Sequence, residues 1–543
     1  MKPLLTSLKK HPVRIAVALL FALASLRLVT ALADSGETRP RPGMVAFYEG
    51  GYVDRISPNN EQYGGINSGM YGMFPEYCEL LGHHCKYLNG HLTRDMLKGV
   101  DVLFIINPQT NWSRVDLDAI WHQVAEGHGL VVLGDHTDVV GTQQSLNDLL
   151  RPVSISFNFD AGLFFKHEWK NCMWILSNPV TRHLDSPNSH RISIWATLKC
   201  EGVARPVIVG KYGFSDWGNR WNAAGAYLGD YRYNANENIG NVPLVAEAEY
   251  GKGRVLVFGD TSPFQNFELP WNCLDFFSDC IAYTADPPTL SRRLGGGTDM
   301  VLILSTAGLV LWRRGRLPNV FAGLVALGML AAHQPGRNHL AGTNISGKKI
   351  AIVDVGCNPR INSGHGDDRS IDGLFSSLAR NNYLPLNLPS PRPDEVTNAS
   401  LLVYMAPEKE VPSQPPGRAA LVFASPAERP GIRPLLEEYN LDITGVPLGF
   451  ATDAGLTKKE GPTYKNAYAI GYLRDTGTND TGIRYEILGD FKGLPTAVLA
   501  ENGAHRLCLV ADDGFAVDQN LEGIFTAHTN NIQFMNRILN KLQ

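Results

Sequence analysis

Residues 100–136 read VDVLFIINPQTNWSRVDLDAIWHQVAEGHGLVVLGDH, and their pattern decides the fold class. Two short runs, 100–106 (VDVLFII) and 130–133 (LVVL), are apolar almost throughout, and the segment 117–126 between them carries apolar residues at helical spacing. A continuously apolar strand is one buried on both faces, and a helix joining two such strands is the connection that parallel pairing requires. The second run ends on Gly134-Asp135-His136, where a glycine and polar groups end the strand. The class is therefore α/β.

Working outward, 44–48 (MVAFY) reads as a buried strand and 73–81 as a helix. Downstream, 206–210 and 244–249 read as strands, and Tyr250-Gly251-Lys252-Gly253 is a tight turn into a strand at 254–258 that ends at Gly259-Asp260-Thr261. A helix over 271–283 closes the unit ahead of Pro287-Pro288. The same order returns later: strand 349–353, helix 372–380, strands 400–405 and 420–424, a segment 435–443 matching 149–155, a hairpin of 496–501 and 506–510 ending at Asp512, and a helix 532–542. The tetrapeptide Ile-Asn-Ser-Gly occupies 66–69 and again 361–364, each time between the first strand and the first helix. This parallel predicts an internal duplication: two flavodoxin-like α/β domains with mostly parallel sheets, 43–286 and 348–543.

The linker 287–347 contains two apolar runs, about 294–312 and 317–333, separated by Arg313-Arg314-Gly315-Arg316. Their length predicts a transmembrane helical hairpin rather than a buried pair of soluble helices. Residues 1–33 carry Lys2, Lys9, Lys10 and Arg14, an apolar stretch 15–26 and Ala31-Leu32-Ala33, the pattern of a signal peptide or an N-terminal anchor; 34–42 is a polar spacer. Either reading sends the first domain out of the cytoplasm. The arginine loop then lies inside by the positive-inside rule, the chain returns, and both large domains are expected on the extracytoplasmic side of a membrane.

Across 543 residues the formal charge is −4, and no basic excess points to nucleic acid. None of the eight cysteines forms C-x-x-C, so no zinc site is expected. Disulfides Cys78–Cys85 or Cys172–Cys200 are open to an exported domain, while Cys357 and Cys508 suit buried thiols. His83, His84, Cys85 and His91 have irregular spacing and read as a surface loop.

Ligands of open α/β sheets bind beyond the carboxyl ends of the strands. There the first half places Glu49, Asn107, Asp135, His136, Asp138 and Asp260, and the second Asp354, Cys357, Asn358, Ser425, Asp512 and Asp513. Glu49, Asp135, His136 and Asp260 are the candidates for acid/base or metal-assisted chemistry, set against an ordinary role as helix caps and loop formers. Asn67, Ser68, Asn107, Asp135, His136, Asn362, Ser363 and Asp512 are the candidate ligand-binding residues. No nucleophile elbow is present: Gly134-Asp135-His136-Thr137 and Ala424-Ser425-Pro426 fill the two slots. Gly295-Gly296-Gly297 lacks the lysine of a phosphate loop. Only the first half carries an insertion, about 212–241, rich in Trp, Tyr and Asn, suited either to carbohydrate or partner binding or to packing on its own domain.

The motifs GLVVLGDHTD (129–138), LNDLLRPVSISFN (146–158), NPVTRHL (178–184) and EYGKGRVLVFGDTSPFQN (249–266) resemble class I glutamine-amidotransferase-like domains that lack the catalytic cysteine. Domains of this kind occur in a subunit of intraflagellar transport and in bacterial gliding and ABC-transport accessory proteins. The resemblance spans 43–286 and, more faintly, 348–543, and implies binding or scaffolding without glutaminase chemistry. No cofactor is implied. The combined expectation is a membrane-tethered, extracytoplasmic, non-catalytic protein of the bacterial envelope whose partners are the membrane and an envelope complex or glycan. The rival expectations are a hydrolase acting on an envelope glycan and an accessory subunit of an ABC-type transport or motility system.

Overall fold

The computed structural model describes residues 43–51, 54–58, 70–138, 141–162, 173–176, 178–184, 194–266, 268–286, 344–358, 361, 370–388, 391–412, 417–453, 462–473, 482–523 and 527–543. In the first α/β domain the chain forms β1 (Met44–Tyr48), α1 (Phe74–Leu80), β2 (His84–Leu88), α2 (Arg94–Leu97), β3 (Val102–Ile106), α3 (Arg114–Glu126), β4 (Gly129–Leu133) and α4 (Thr142–Leu150). It continues through β5 (Ile155–Phe157), β6 (Asp160–Ala161), β7 (Met173–Ile175), β8 (Leu198–Cys200), β9 (Arg205–Phe214), β10 (Asp216–Trp217), β11 (Ile239–Tyr250), β12 (Gly253–Phe258) and α5 (Leu274–Ala285).

The main sheet has the order β2-β1-β3-β4-β12-β11-β9-β7. From β2 to β12 the pairing is parallel, and every residue of β3, β4 and β12 is buried, as their apolar runs require. Helix α3 is started by a capping box: the Ser113 hydroxyl accepts from the Asp116 N–H, and the Asp116 carboxylate accepts from the Ser113 N–H at 2.8 Å. Gly251, at φ 59°, makes the turn that reverses β11 into β12.

The second domain forms β13 (Asn344–Ile345), β14 (Lys348–Asp354), α6 (Asp372–Arg380), β15 (Tyr383–Asn387), α7 (Pro393–Asn398), β16 (Leu401–Met405), β17 (Ala419–Phe423) and α8 (Arg433–Glu438). It ends with β18 (Leu441–Asp453), β19 (Thr463–Tyr472), β20 (Arg484–Phe491), β21 (Leu494–Asn502), β22 (His505–Val510) and α9 (Thr529–Leu542). Its sheet runs β15-β14-β16-β17-β22-β21-β20, with the same sequence of parallel then antiparallel ladders as β2-β1-β3-β4-β12-β11-β9. Strands β18 and β19 pair with each other in a separate two-stranded sheet.

The structure corrects the reading of 83–91 and bears on two further expectations. The sheets are mixed: four parallel ladders form the larger part of each, and the hairpins β11–β12 and β21–β22 add an antiparallel flank. Residues 83–91 are not simply a surface loop: β2 pairs in parallel with β1 over all five of its residues. As an edge strand it is covered on one side and buries only Leu88 fully, so HCKYL shows no apolar run. The expected transmembrane hairpin and the N-terminal segment lie outside the described residues, and among the described residues no helix is long and apolar enough to cross a membrane.

Cys78, Cys85 and Cys200 are free thiols, with Cys78 and Cys85 in side-chain contact, and Cys172 lies outside the described residues. Cys357 and Cys508 are free and buried.

The two domains meet through side chains. Trp271, in the irregular helical turn Leu269–Cys273 before α5, is 2% exposed and belongs to the apolar core of the second domain. Its ring stands edge-on to Phe375 with centroids 4.7 Å apart, and its indole N–H donates to Asp372 Oδ1 at 3.0 Å. Nearby, the buried Tyr77 hydroxyl of α1 donates to the Pro385 carbonyl of β15 at 3.1 Å, and Ser346 bonds Glu79 at 2.5 Å. Replacing Trp271 with alanine leaves a cavity in the neighbouring domain and removes the indole bond to Asp372. The expected cost is ~3–5 kcal/mol in urea unfolding of the full chain, with Trp271→Phe recovering part of it through the ring contact.

Candidate functional site

Strands β1, β3, β4 and β12 all end on one edge of the first sheet, and the residues that follow them face a common region. The turn after β4 is forced: a Cβ at Gly134 would collide with the Phe157 ring and with Leu146. The Gly134 N–H donates to Phe258 O at 3.0 Å, and the Asn107 N–H to Leu133 O at 2.9 Å, so both turns remain tied to the sheet. Asn107 is held at φ 39°, a left-handed conformation uncommon for a residue with a side chain.

His136 lies between two acceptors. Its Nδ1 is 2.6 Å from Asp135 Oδ1, and its Nε2 is 3.1 Å from the carbonyl oxygen of Ala226. Neither partner can donate, so the arrangement favours a ring protonated at both nitrogens. Burial opposes that charge, but the bond and charge of Asp135, with Asp260 beyond it, outweigh burial and raise the pKa of His136. Asp260 is 4% exposed. Its Oδ1 accepts from the Ser262 N–H and hydroxyl, both at 2.9 Å, while its Oδ2 has no hydrogen-bond partner among the described residues. Burial first, then the charge of Asp135, pushes the Asp260 carboxyl up to about 7. Asn107 Oδ1 is likewise buried without a partner. The buried phenol of Tyr71 donates to the Thr261 carbonyl beside Asp260.

The insertion closes over this edge. Ala226, which contacts His136, belongs to it, and Arg220 pairs with Asp138 Oδ2 at 2.7 Å while stacking 4.2 Å from the Phe159 ring centroid. Ala226, Tyr227 and Tyr231 all have positive φ, so the insertion is held in a strained, specific path. Nothing in the sequence spacing announced that a backbone carbonyl ninety residues after His136 would complete its bonding. The Trp- and Tyr-rich composition marked the insertion, but not its contact.

The other candidates divide. Asp135 and His136 are together, with Asp260 close enough to act on both, whereas Glu49 is engaged in an ion pair with Arg55. Asn67, Ser68, Asn362 and Ser363 lie outside the described residues. In the second domain most strand-end groups are engaged by the fold, although Asn387 Oδ1 at the end of β15 is buried without a partner among the described residues. Asp512, fully buried, accepts from the N–H groups of Lys465 at 2.6 Å, Asn466 at 2.9 Å and Gly514 at 2.9 Å, which ties β19 to the sheet edge. Ser425 donates to Glu428 Oε2 at 2.6 Å, and Asn358 donates to the Ala406 carbonyl at 2.7 Å. Burial pushes the Cys357 thiol up to about 12, which keeps it protonated and inert. Among the described residues no group of three or more His, Cys, Asp or Glu is arranged to hold a metal ion.

Asp260 carries a definite pH signature. Its folded pKa lies above the unfolded value of about 3.9, so its contribution to stability is full below that value and is lost as pH rises toward 7. Between about pH 4 and 7 this group alone lowers stability by up to ~1.4 kcal/mol per pH unit. Denaturation of wild type and Asp260→Asn from pH 5 to 8 is expected to show that slope in the first and its loss in the second.

No protein-family model matches the chain, and no curated protein matches it in sequence. Solved structures similar to it include the N-terminal domain of mmIFT52, with 12% identity, TM-score 0.31, and coverage of 44% of this chain and 95% of that one. A ThuA-like protein from Bacteroides uniformis has 12% identity and TM-score 0.26, covering 46% of this chain and 93% of its own. A cytoplasmic protein from Salmonella typhimurium has 14% identity and TM-score 0.26, covering 45% and 99% respectively. Each likeness is of low identity and spans less than half of this chain.

Proposed function

We propose that this chain is a membrane-tethered, extracytoplasmic, non-catalytic binding or scaffold protein of the bacterial envelope, in which the first domain holds the ligand and the second braces it. The observation that carries the reading is the cluster of Asp135, His136 and Asp260 at the strand ends of the first domain, where Asp260 keeps a buried oxygen without a partner among the described residues. In the first domain buried acceptors, Asp260 Oδ2 and Asn107 Oδ1, have no partner among the described residues, and Asp260 is close enough to His136 to act on its charge. In the second, Ser425, Asn358 and Asp512 spend their bonding on the fold itself. A buried acceptor without a donor is costly, and a ligand's hydroxyl or N–H groups would remove that cost. The strand-end slots carry no activated Ser or Cys in either domain, which favours binding over turnover. The tether is supported by the two apolar runs flanking Arg313-Arg314-Gly315-Arg316, and the outward placement by the positive-inside rule.

One feature favours a second reading, a hydrolase acting on an envelope glycan. A carboxyl at about 7 beside a charged imidazole can exchange a proton near neutrality, as a general acid does.

The two readings predict different outcomes. A tag at Gly315 should be reachable only from the cytoplasm and a tag at Gln543 only from outside; finding both on one side overturns the topology. Pull-down from solubilised membranes should recover an envelope component with wild type and lose it with His136→Ala. If nothing is recovered, the binding reading fails. For the hydrolase, folded His136→Ala and Asp260→Ala proteins should lose turnover of envelope glycan, and unchanged product formation removes that reading.

A further inference from the structure

We propose that the insertion of the first domain is a docking platform for a neutral oligosaccharide; this deepens the binding reading above and rests on it. Within seventeen residues the insertion exposes Trp221 at 95%, Trp217 at 56%, Tyr231 at 49% and Tyr233 at 47%. The same domain buries Trp195 completely and Trp121 to 6%, and outside the insertion its most exposed described ring, Trp174, reaches 50%, so Trp221 at 95% stands apart.

The backbone that carries these rings is held, and the Trp217 and Tyr233 rings have contacts of their own. The Trp217 indole N–H donates to Asn236 O at 3.3 Å, and its backbone N–H to Glu237 Oε1 at 3.1 Å. The Tyr231 N–H donates to Asp216 Oδ2 at 3.0 Å, the Trp221 N–H to Asn219 Oδ1 at 3.0 Å, and Tyr233 stands edge-on to Phe214 at 5.8 Å. Asp216 and Glu237 are themselves buried, so the backbone that carries the rings is anchored from beneath. A surface arranged before the ligand arrives loses little ordering entropy on binding.

The chemistry points to sugar. Flat aromatic faces offer large, rigid, amphipathic contact at low entropic cost, and they match the C–H face of a pyranose ring. The neighbours of the rings are Asn219, Asn222, Asn234, Asn236 and Asn238; Leu228 is buried, and Ile239, at the margin of the insertion, is its exposed large aliphatic side chain. A protein-docking surface would instead carry an apolar centre around its aromatic anchors. Exposed Asp230 balances exposed Arg232 beside the rings, and Arg220 is already paired with Asp138, so the platform offers no cationic excess that would favour an anionic glycan. The platform also adjoins the strand-end cluster, because Ala226 and Arg220 join it to His136 and Asp138.

The test uses the full chain in lauryldimethylamine oxide, a detergent without a sugar head group. Calorimetry and tryptophan fluorescence are followed with hexamers of β-1,4-linked glucose, α-1,4-linked glucose and β-1,4-linked N-acetylglucosamine, and with hexagalacturonate as the anionic comparison. At least one neutral hexamer should bind, on the order of tenfold more tightly than hexagalacturonate. Trp221→Ala and Trp217→Ala should each weaken that binding by on the order of tenfold, and Trp221→Phe should retain most of it. An unchanged thermal midpoint in Trp221→Ala shows that the loss is not unfolding. Binding by none of the neutral hexamers, preference for the anionic one, or binding indifferent to Trp221→Ala overturns the proposal. Capture of a membrane component that Trp221→Ala abolishes, with no sugar bound, overturns it in favour of a protein-docking face and leaves the binding reading standing.

Discussion

The indole of Trp271 crosses from the first domain into the apolar core of the second, where it meets Phe375 and hydrogen-bonds Asp372. Most of what distinguishes this chain from two independent α/β units depends on that insertion. A fully desolvated tryptophan contributes several kcal/mol of burial, and its one polar atom is satisfied by the domain it enters. The bond from Tyr77 to Pro385 and the apolar cluster that runs from Phe74 and Phe277 through Leu384 and Leu386 place α1 against the second domain's edge strand β15. All five residues of β15 are buried, whereas its topological counterpart β2 buries only Leu88. The same edge position in the same sheet order is thus covered in one domain and half exposed in the other.

A second asymmetry follows from how polar groups at the strand ends are satisfied. Asp512 and Asp260 occupy matching places after β22 and β12, and burial raises the pKa of both. Asp512 receives three backbone N–H groups, two of them from β19. Asp260 receives only the two donors of Ser262, and Asp135 adds a like charge. In the second domain β19 supplies two of the donors to Asp512, whereas in the first the aromatic insertion reaches the sheet edge through Ala226 and Arg220, beside His136 and Asp138. The same order of ladders therefore gives matching aspartates different surroundings, because the difference lies in what packs beyond the strands.

The sheet centre was legible because burial on both faces leaves a mark in composition. Residues 44–48 and 372–380 have in the structure the bounds read from the sequence, and β12 differs by one residue. Strands β2 and β15 were not legible, for different reasons. HCKYL is half exposed and lacks an apolar run, while YLPLN is buried but carries Pro385, which is tolerated because β15 is at a sheet margin. Asp135, His136 and Asp260 could be named as candidates because each follows an apolar run. Tyr71 and the Ala226 carbonyl could not, since a buried phenol and a backbone oxygen from a distant loop have no sequence signature.

By itself, the sequence determined the α/β class, the repeated order of strands and helices, and which residues terminate the parallel strands. Those features rest on local rules, since apolar runs, helical periodicity, turn glycines and proline stops act within a few residues. Tertiary structure alone decided that Trp271 belongs to the other domain's core, that β15 is covered while β2 is not, and that Asp260 keeps an unpaired oxygen where Asp512 has none. Each of these depends on which distant surface reaches a group first and excludes water from it, and the strength of a buried charge or ring is set by that surrounding surface rather than by its sequence neighbours.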